Sequence, residues 1–253
     1  MAMEQISSRK NTYIRHVRQL AADGAYRRER GEYLCDGMKT LREAIGFGAK
    51  VTSILWKEDC AEGEYPDAAQ YVCPSELFDY ASPMVNSPGP LFTAAIRGCR
   101  KPGKLRSAMI LEGVQDPGNV GTVIRTANAF GIDAVILTGG CADLYHPKTV
   151  RSTMGAIFRQ TVLEIELPRL ADFLHDQKLP LYGAALAEDA QSILGMDLRR
   201  TALAVGSEGR GLSEELLALC RGEIIIPMDA RSESLNAAVA ASVLMWEMAR
   251  ENT

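Results

Sequence analysis

At 253 residues the chain is long enough for one large domain or two modest ones, each with a real core. Its longest apolar runs, AVIL at 134–137 and EIII at 223–226, fall far short of the roughly 20 residues of a membrane span, and MAMEQISSRKN lacks a signal peptide's apolar stretch, so a cytoplasmic, membrane-free protein is expected. A net charge of −4 argues against a nucleic-acid partner, but its distribution does not: residues 1–30 carry seven basic side chains against three acidic ones, and RGCRKPGKLR at 97–106 carries five against none.

Those two islands hold +9 and leave the rest of the chain at −13. Two readings stand: a solvated surface with a solubilising linker, or a patch that tracks phosphates. The six cysteines (Cys35, Cys60, Cys73, Cys99, Cys141, Cys220) form no Cys-x-x-Cys pair, and only His16, His146 and His175 could join them as ligands. Reduced thiols and no metal site are expected.

In chain order, Ser8 to Ala22 reads as a basic helix with Ile14, Val17 and Leu20 on its apolar face, ended by Asp23-Gly24. Then follow strand-like EYLCDG, a helix with Met38, Leu41 and Ile45 in phase, strand VTSILW, a helical stretch around 65–70, strand YVC, a short helix in SELFDYASPMV and a closing strand LFTAAIR. Pro102-Gly103 inside the basic run marks the best domain boundary. From Ala108 longer apolar strands alternate with helices: strand AMILEGV, helix NVGTVIRTANAFG closed by Gly131, strand AVILTGG, a helical TVRSTMGAIF, strand TVLEIEL, a helix begun by Pro168, strand PLYGAAL, strand TALAV and a helix capped by Ser213. EIII then reads as a buried strand stopped by Pro227, and after a polar loop Ser234 caps a helix whose apolar positions run from Leu235 to Trp246.

Three strand ends stand out. In VQDPGNVGTVIRTANAFG, Asp116-Pro117-Gly118 turns the chain, Asn119 caps the helix, and Arg125 follows about one and a half turns on, within reach of an anion at the helix start. In VGSEGRGL, Gly206, Gly209 and Gly211 flank Glu208 and Arg210 and let backbone lie against a ligand, yet the spacing is neither a P-loop nor a dinucleotide fingerprint. In IPMDARSESLNAA, Ser234 and Asn236 bring a hydroxyl and an amide to a helix start. Taken singly, each is equally compatible with ordinary βα packing.

Together, in this order and spacing, the three segments resemble motifs one to three of the SpoU (TrmH-type) RNA ribose 2′-O-methyltransferases of the SPOUT superfamily, and RSTMGAIFR matches the family's Ser-Met-Gly-Ala segment. The likeness spans residues 108–248, and SRKNTYIRHVRQL, EYLCDGMKTLREAI and VTSILW more loosely resemble the L30e-like domain that often precedes them. The fold class implied is α/β: an L30e-like substrate-binding domain at 1–98, a linker at 99–107, and a SPOUT-type methyltransferase domain with a deep trefoil knot at 108–253.

The resemblance further implies S-adenosylmethionine as cofactor, held by Gly206, Ile226, Met228 and Leu235, and no metal. It assigns the catalytic site to Asn119, Arg125, Glu208, Ser234 and Asn236, completed across a homodimer interface to which the helix from Leu235 contributes. A guanidinium is effectively never deprotonated in proteins, so phosphate fixation and oxyanion stabilisation suit Arg125 better than a base's role. Arg9, Lys10, Arg15 and Arg18 would meet RNA, with ribosomal RNA favoured by the N-terminal domain and transfer RNA the alternative. The rivals are a non-catalytic RNA-binding protein, opposed by the intact motif residues, and a nucleotide-dependent oxidoreductase, opposed by the missing fingerprint. The sequence departs from the family where relatives often carry Gln-Gly: here stands Ser87-Pro88-Gly89-Pro90.

Overall fold

The computed structural model describes residues 3–58, 60–63, 65–98, 102–187, 189–229, 231 and 234–250. It forms two compact units, Met1–Gly98 with Asp143–Phe158, and Cys99–Ala142 with Arg159–Thr253. Residues 99–101 of the expected linker lie outside the described residues.

The first unit opens with β1 (Glu4–Gln5) and α1 (Thr12–Ala22), whose Asn11 side chain accepts from the Tyr13 N–H and whose Ile14, Val17 and Leu20 are fully buried. Asp23 ends α1 and also starts a helix the apolar pattern does not reveal, α2 (Gly24–Arg30), by accepting from Ala25 and Tyr26. Next come β2 (Glu32–Asp36), α3 (Met38–Gly46), β3 (Val51–Lys57), β4 (Ala69–Cys73), α4 (Ser75–Ala81) and β5 (Leu91–Ala95). The helix expected around 65–70 is absent. Ala68 N–H donates to Tyr65 O across Pro66-Asp67, a turn with proline where its fixed φ fits, and the chain runs straight into β4.

The strands of this unit lie in the order β1-β4-β3-β5-β2, with β5 antiparallel to both its neighbours. Period-two alternation sends Leu34, Leu55 and Leu91 to one face, with Ile14, Leu20 and Phe78, and Tyr33, Cys35, Ile54, Trp56 and Phe92 to the other.

In the second unit β6 (Ala108–Glu112), α5 (Pro117–Ala129) and β7 (Ala134–Thr138) make a βαβ turn of chain. Residues 143–158, expected within the 108–253 domain, belong instead to the first unit. There α6 (Pro147–Ser152) packs on β2, Asp143 pairs with the buried Arg27 at 2.6 Å, and Val150 and Phe158 enter the core beside Tyr33 and Trp56. The correction has a packing cause: the open face of the small sheet is covered by apolar side chains distant in sequence. The helix expected over TVRSTMGAIF is also broken, at Met154 and Gly155, both at positive φ, before a 3₁₀ turn at Ala156–Phe158.

The chain returns as β8 (Thr161–Glu164), α7 (Leu167–Gln177), β9 (Leu181–Ala184), β10 (Gln191–Ser192), β11 (Ala202–Val205), α8 (Glu214–Leu217), β12 (Gly222–Ile225) and α9 (Ala237–Arg250). All pairings are parallel in the order β10-β12-β9-β11-β6-β7-β8. The central strands β6, β7 and β11 are buried along their whole length, as a sheet covered on both faces requires. Strand order reverses between β6 and β11, and the carboxyl ends at such a switch point open a crevice.

Candidate active site

The loop after β6 is shaped by Asp116. Its carboxylate accepts from the Gly118 and Asn119 N–H groups at 2.7 and 3.1 Å, and Pro117 occupies the first helical turn. The expected cap, Asn119, therefore lies inside α5 rather than at its cap. Its amide is released for another partner, and Nδ2 donates to Glu208 Oε1 at 2.6 Å.

Glu208 sits on the loop after β11. Gly211 N–H donates to Ser207 O at 2.9 Å, folding the loop back so tightly that a Cβ on Gly206 would stand 2.1 Å from the Gly211 carbonyl. Only glycine permits that crossing.

The third strand end supplies Asn236. Its Oδ1 accepts from the Ala238 and Val239 N–H groups at 3.0 and 3.3 Å, so Asn236, not Ser234, caps α9. Its Nδ2 donates to Glu208 Oε1 at 2.9 Å and stands 3.3 Å from Asn119 Oδ1. Three loops from three strand ends are thus tied by one carboxylate oxygen holding two amides. Glu208 Oε2 has no hydrogen-bond partner among the described residues.

Behind this trio lies a cavity of about 510 Å³, a volume suited to a small-molecule ligand. Gly206, Ile226, Met228, Ser234 and Leu235 all line it, with Glu208 at its edge. The glycine crossing offers backbone polar groups, and Leu212, Ile224, Ile226 and Leu235 an apolar wall: a donor set that fits a nucleoside with a charged tail and no tight metal shell. Among the described residues no group of three or more His, Cys, Asp or Glu side chains is placed to hold a metal. Sequence reasoning missed one wall, Ala184 to Ala187 at the end of β9. Its signal was available, since β9 is one more strand ending on the same side of a parallel sheet.

Arg125 is exposed on α5 and forms no hydrogen bond or ion pair among the described residues, so it is not tied to the Asn119–Glu208–Asn236 trio. In the first unit, the guanidinium groups of Arg9 and Arg18 meet over the Tyr80 ring at 4.4 and 3.9 Å. Arg15 instead donates to the Lys10 carbonyl, while Lys10 is exposed. Tyr80 was not singled out by the sequence; an aromatic on a short helix gives no sign that two distant arginines converge on it.

Fold and site together define an α/β protein with a nucleoside-sized cavity at the carboxyl ends of β9, β11 and β12 of a parallel sheet, and with a carboxylate in its lining, Glu208, that accepts hydrogen bonds from two amides. Residues 106–246 match the profile of the SpoU rRNA Methylase family. The 23S rRNA (guanosine(2553)-2′-O)-methyltransferase RlmP of Bacillus subtilis is 33% identical over 251 residues, covering 97% of this chain and 99% of that one. A Porphyromonas gingivalis structure assigned to the TrmH family of RNA methyltransferases superimposes with a TM-score of 0.82 at 30% identity, over 94% of this chain and 97% of its own. The SpoU methyltransferase AviRb of Streptomyces viridochromogenes, solved with AdoMet, shares the fold with a TM-score of 0.88 at 24% identity, over 96% and 98% of the two chains. The chain belongs to the SpoU rRNA methylase family.

Proposed function

We propose that the protein transfers the methyl group of S-adenosyl-L-methionine to a ribose 2′-hydroxyl of ribosomal RNA. One observation carries this reading: Glu208, hydrogen-bonded by the Asn119 and Asn236 amides, lines the same cavity as Gly206, Ile226, Met228 and Leu235. The name of the Bacillus subtilis relative supports ribosomal over transfer RNA.

When bound, S-adenosylmethionine supplies a sulfonium-activated methyl group. The chain does the rest by positioning. The apolar wall of Ile226, Met228 and Leu235 receives the adenosine, and the crossing at Gly206 brings backbone polar groups to it. The two amides fix Glu208 through one oxygen and leave Oε2 to accept a hydrogen bond from the 2′-hydroxyl, and then its proton as the methyl group would leave sulfur for the 2′-oxygen, with Ser234 beside it. Arg125, without an acidic partner among the described residues, binds the neighbouring phosphate and stabilises negative charge developing on the 2′-oxygen.

The RNA is held by phosphate contacts from the first unit, where Arg9 and Arg18 share Tyr80 and Lys10 and Arg15 flank them. The finer topology of the resemblance belongs to this reading: an L30e-like substrate domain, and a knotted second unit. The convergence of residues 184–187 and 206–212 with Ile226, Met228, Ser234 and Leu235 on one cavity supports the knot.

So does a homodimer. Thr122 and Thr126 of α5, Phe130 just after it, and Val239, Ser242 and Trp246 of α9 line an open groove, with Trp246 53% exposed. Asn119 and Asn236 stand in the same groove, so a second copy seated there would reach the reacting groups. Trp246→Glu should yield a monomer by sedimentation that transfers no methyl groups, and a dimer of unchanged strength would remove this part of the reading. No helix among the described residues is long and apolar enough to cross a membrane, and the reading places the protein with its RNA in the cytoplasm.

Incubation with ribosomal RNA and S-adenosylmethionine labelled in its methyl group tests the proposal. Label should appear in an alkali-resistant dinucleotide and vanish with Glu208→Ala. Label in a base, or none, would sink it.

A further inference from the structure

We propose that Glu112 is a positioning residue for cofactor binding, acting through Ser213 to fix the far end of the loop that carries Glu208. The inference rests on the reading that the cavity takes S-adenosylmethionine, and it concerns a residue outside that cavity's lining.

Glu112 closes β6 and is only 7% exposed. Its Oε2 accepts from the Ser213 N–H and its Oε1 from the Ser213 hydroxyl, both at 2.7 Å. The Ser213 oxygen in turn accepts from the Leu216 N–H at 3.1 Å, so this one serine both caps α8 and is gripped twice by a carboxylate. No lysine or arginine among the described residues pairs with Glu112. A buried carboxylate without a cation is costly to desolvate. The neighbouring strand end makes room for it: Gly139 is at φ +58, and a Cβ there would lie 2.8 Å from Glu112 Cγ.

The placement explains what the carboxylate secures. Leu111 pairs with Val205, the last residue before the loop, through the β6–β11 ladder. Glu112, next along the same strand, holds Ser213, the first residue after it. Consecutive residues of one buried strand thus hold both ends of residues 206–212, which line the cavity and include Glu208. Release of Ser213 frees Gly211 and Leu212 on the cavity wall and lets Glu208 drift from Asn119 and Asn236.

The test is titration of the full chain with S-adenosylhomocysteine by calorimetry, with Glu112→Gln, Ser213→Ala, the double variant and Ser213→Thr. Each of the first two should weaken binding about tenfold, and the double variant should be no weaker than the worse single one, because both remove one linkage. Ser213→Thr keeps a capping hydroxyl and should bind within about twofold of the parent. In ligand-free Glu112→Gln, amide exchange should quicken over residues 207–212 and stay unchanged in β7 and α7. If Glu112→Gln does not fold, the contrast between Ser213→Ala and Ser213→Thr decides. Unchanged affinity in the single variants, or losses that multiply to about a hundredfold in the double one, would overturn the proposal. Absence of binding by the parent chain would instead overturn the cofactor reading on which it rests.

Discussion

Replacing Gly206 with alanine puts a Cβ atom 2.1 Å from both the carbonyl carbon and the oxygen of Gly211, and 2.5 Å from the Leu212 nitrogen. Gly206 is not at positive φ, so the penalty is steric, not torsional. Because the opposing atoms are backbone, no rotamer change relieves the clash. Reaching an ordinary contact of about 3.5 Å requires a shift of roughly 1.4 Å. Val205 is held by its pairing with Leu111, so the loop side must move. Overpacking of this kind costs about 1–3 kcal/mol, which for a chain of this size lowers the melting midpoint by roughly 2–12 °C. The functional cost is larger, since a displacement of about 1 Å at a reacting constellation can cost about a hundredfold in rate. The measurement pairs a melting curve with titration by S-adenosylhomocysteine and methyl-transfer rates. A folded variant with at least tenfold weaker ligand binding and about hundredfold slower transfer is expected. Parental affinity and rate in Gly206→Ala would refute the role given to this crossing.

Four further outcomes follow from the structure. Asn236→Asp keeps the cap on Ala238 and Val239 but sets a second carboxylate against Glu208 Oε1, where the amide now donates at 2.9 Å; the melting midpoint should hardly move while methyl transfer at neutral pH falls about a hundredfold, and retained turnover would count against the trio. Arg125→Lys should bind RNA normally yet lose methylation, whereas Arg9→Gln with Arg18→Gln should weaken RNA binding and flatten its salt dependence by roughly 0.7–0.9 per lost phosphate contact; a filter-binding salt series beside a turnover assay separates the two. Burial, with Glu223 and Glu112 adding to it, pushes the Cys220 thiol up to about 12, so at pH 8 it should alkylate far more slowly than exposed Cys60, as read by mass spectrometry of iodoacetamide adducts. The sign for stability follows: with the folded-state value raised, the contribution of Cys220 is intact below the ordinary thiol range and is lost as pH climbs through that range towards 12.

Much of the second unit is legible in the sequence because its strands are buried on both faces and announce themselves as unbroken apolar runs such as AMIL and AVIL. Turn chemistry placed the three loops at strand ends, but which oxygen each helix start would use was not legible. Asp116 and Asn236 cap where Asn119 and Ser234 were expected, because Asp, Asn and Ser are near-equal caps and neighbours compete for the position. The consequence is chemical: Asn119 has its amide free for Glu208 only because Asp116 has taken the helix start. Periodicity failed at residues 65–70, where a proline turn won, and at residues 143–158, whose packing against Tyr33 and Trp56 depends on contacts more than a hundred residues apart. The clustering of Arg9 and Arg18 on Tyr80 was hidden because it too joins residues far apart in sequence.

The central claim is that this chain marks ribosomal RNA on a ribose. Mapping alkali-resistant linkages in ribosomal RNA from cells with and without the protein tests it most directly. At least one 2′-O-methylated position should disappear without the protein and return with the parent chain, but not with Glu208→Ala. An identical methylation map in both cells, or a missing mark restored by Glu208→Ala, would contradict it.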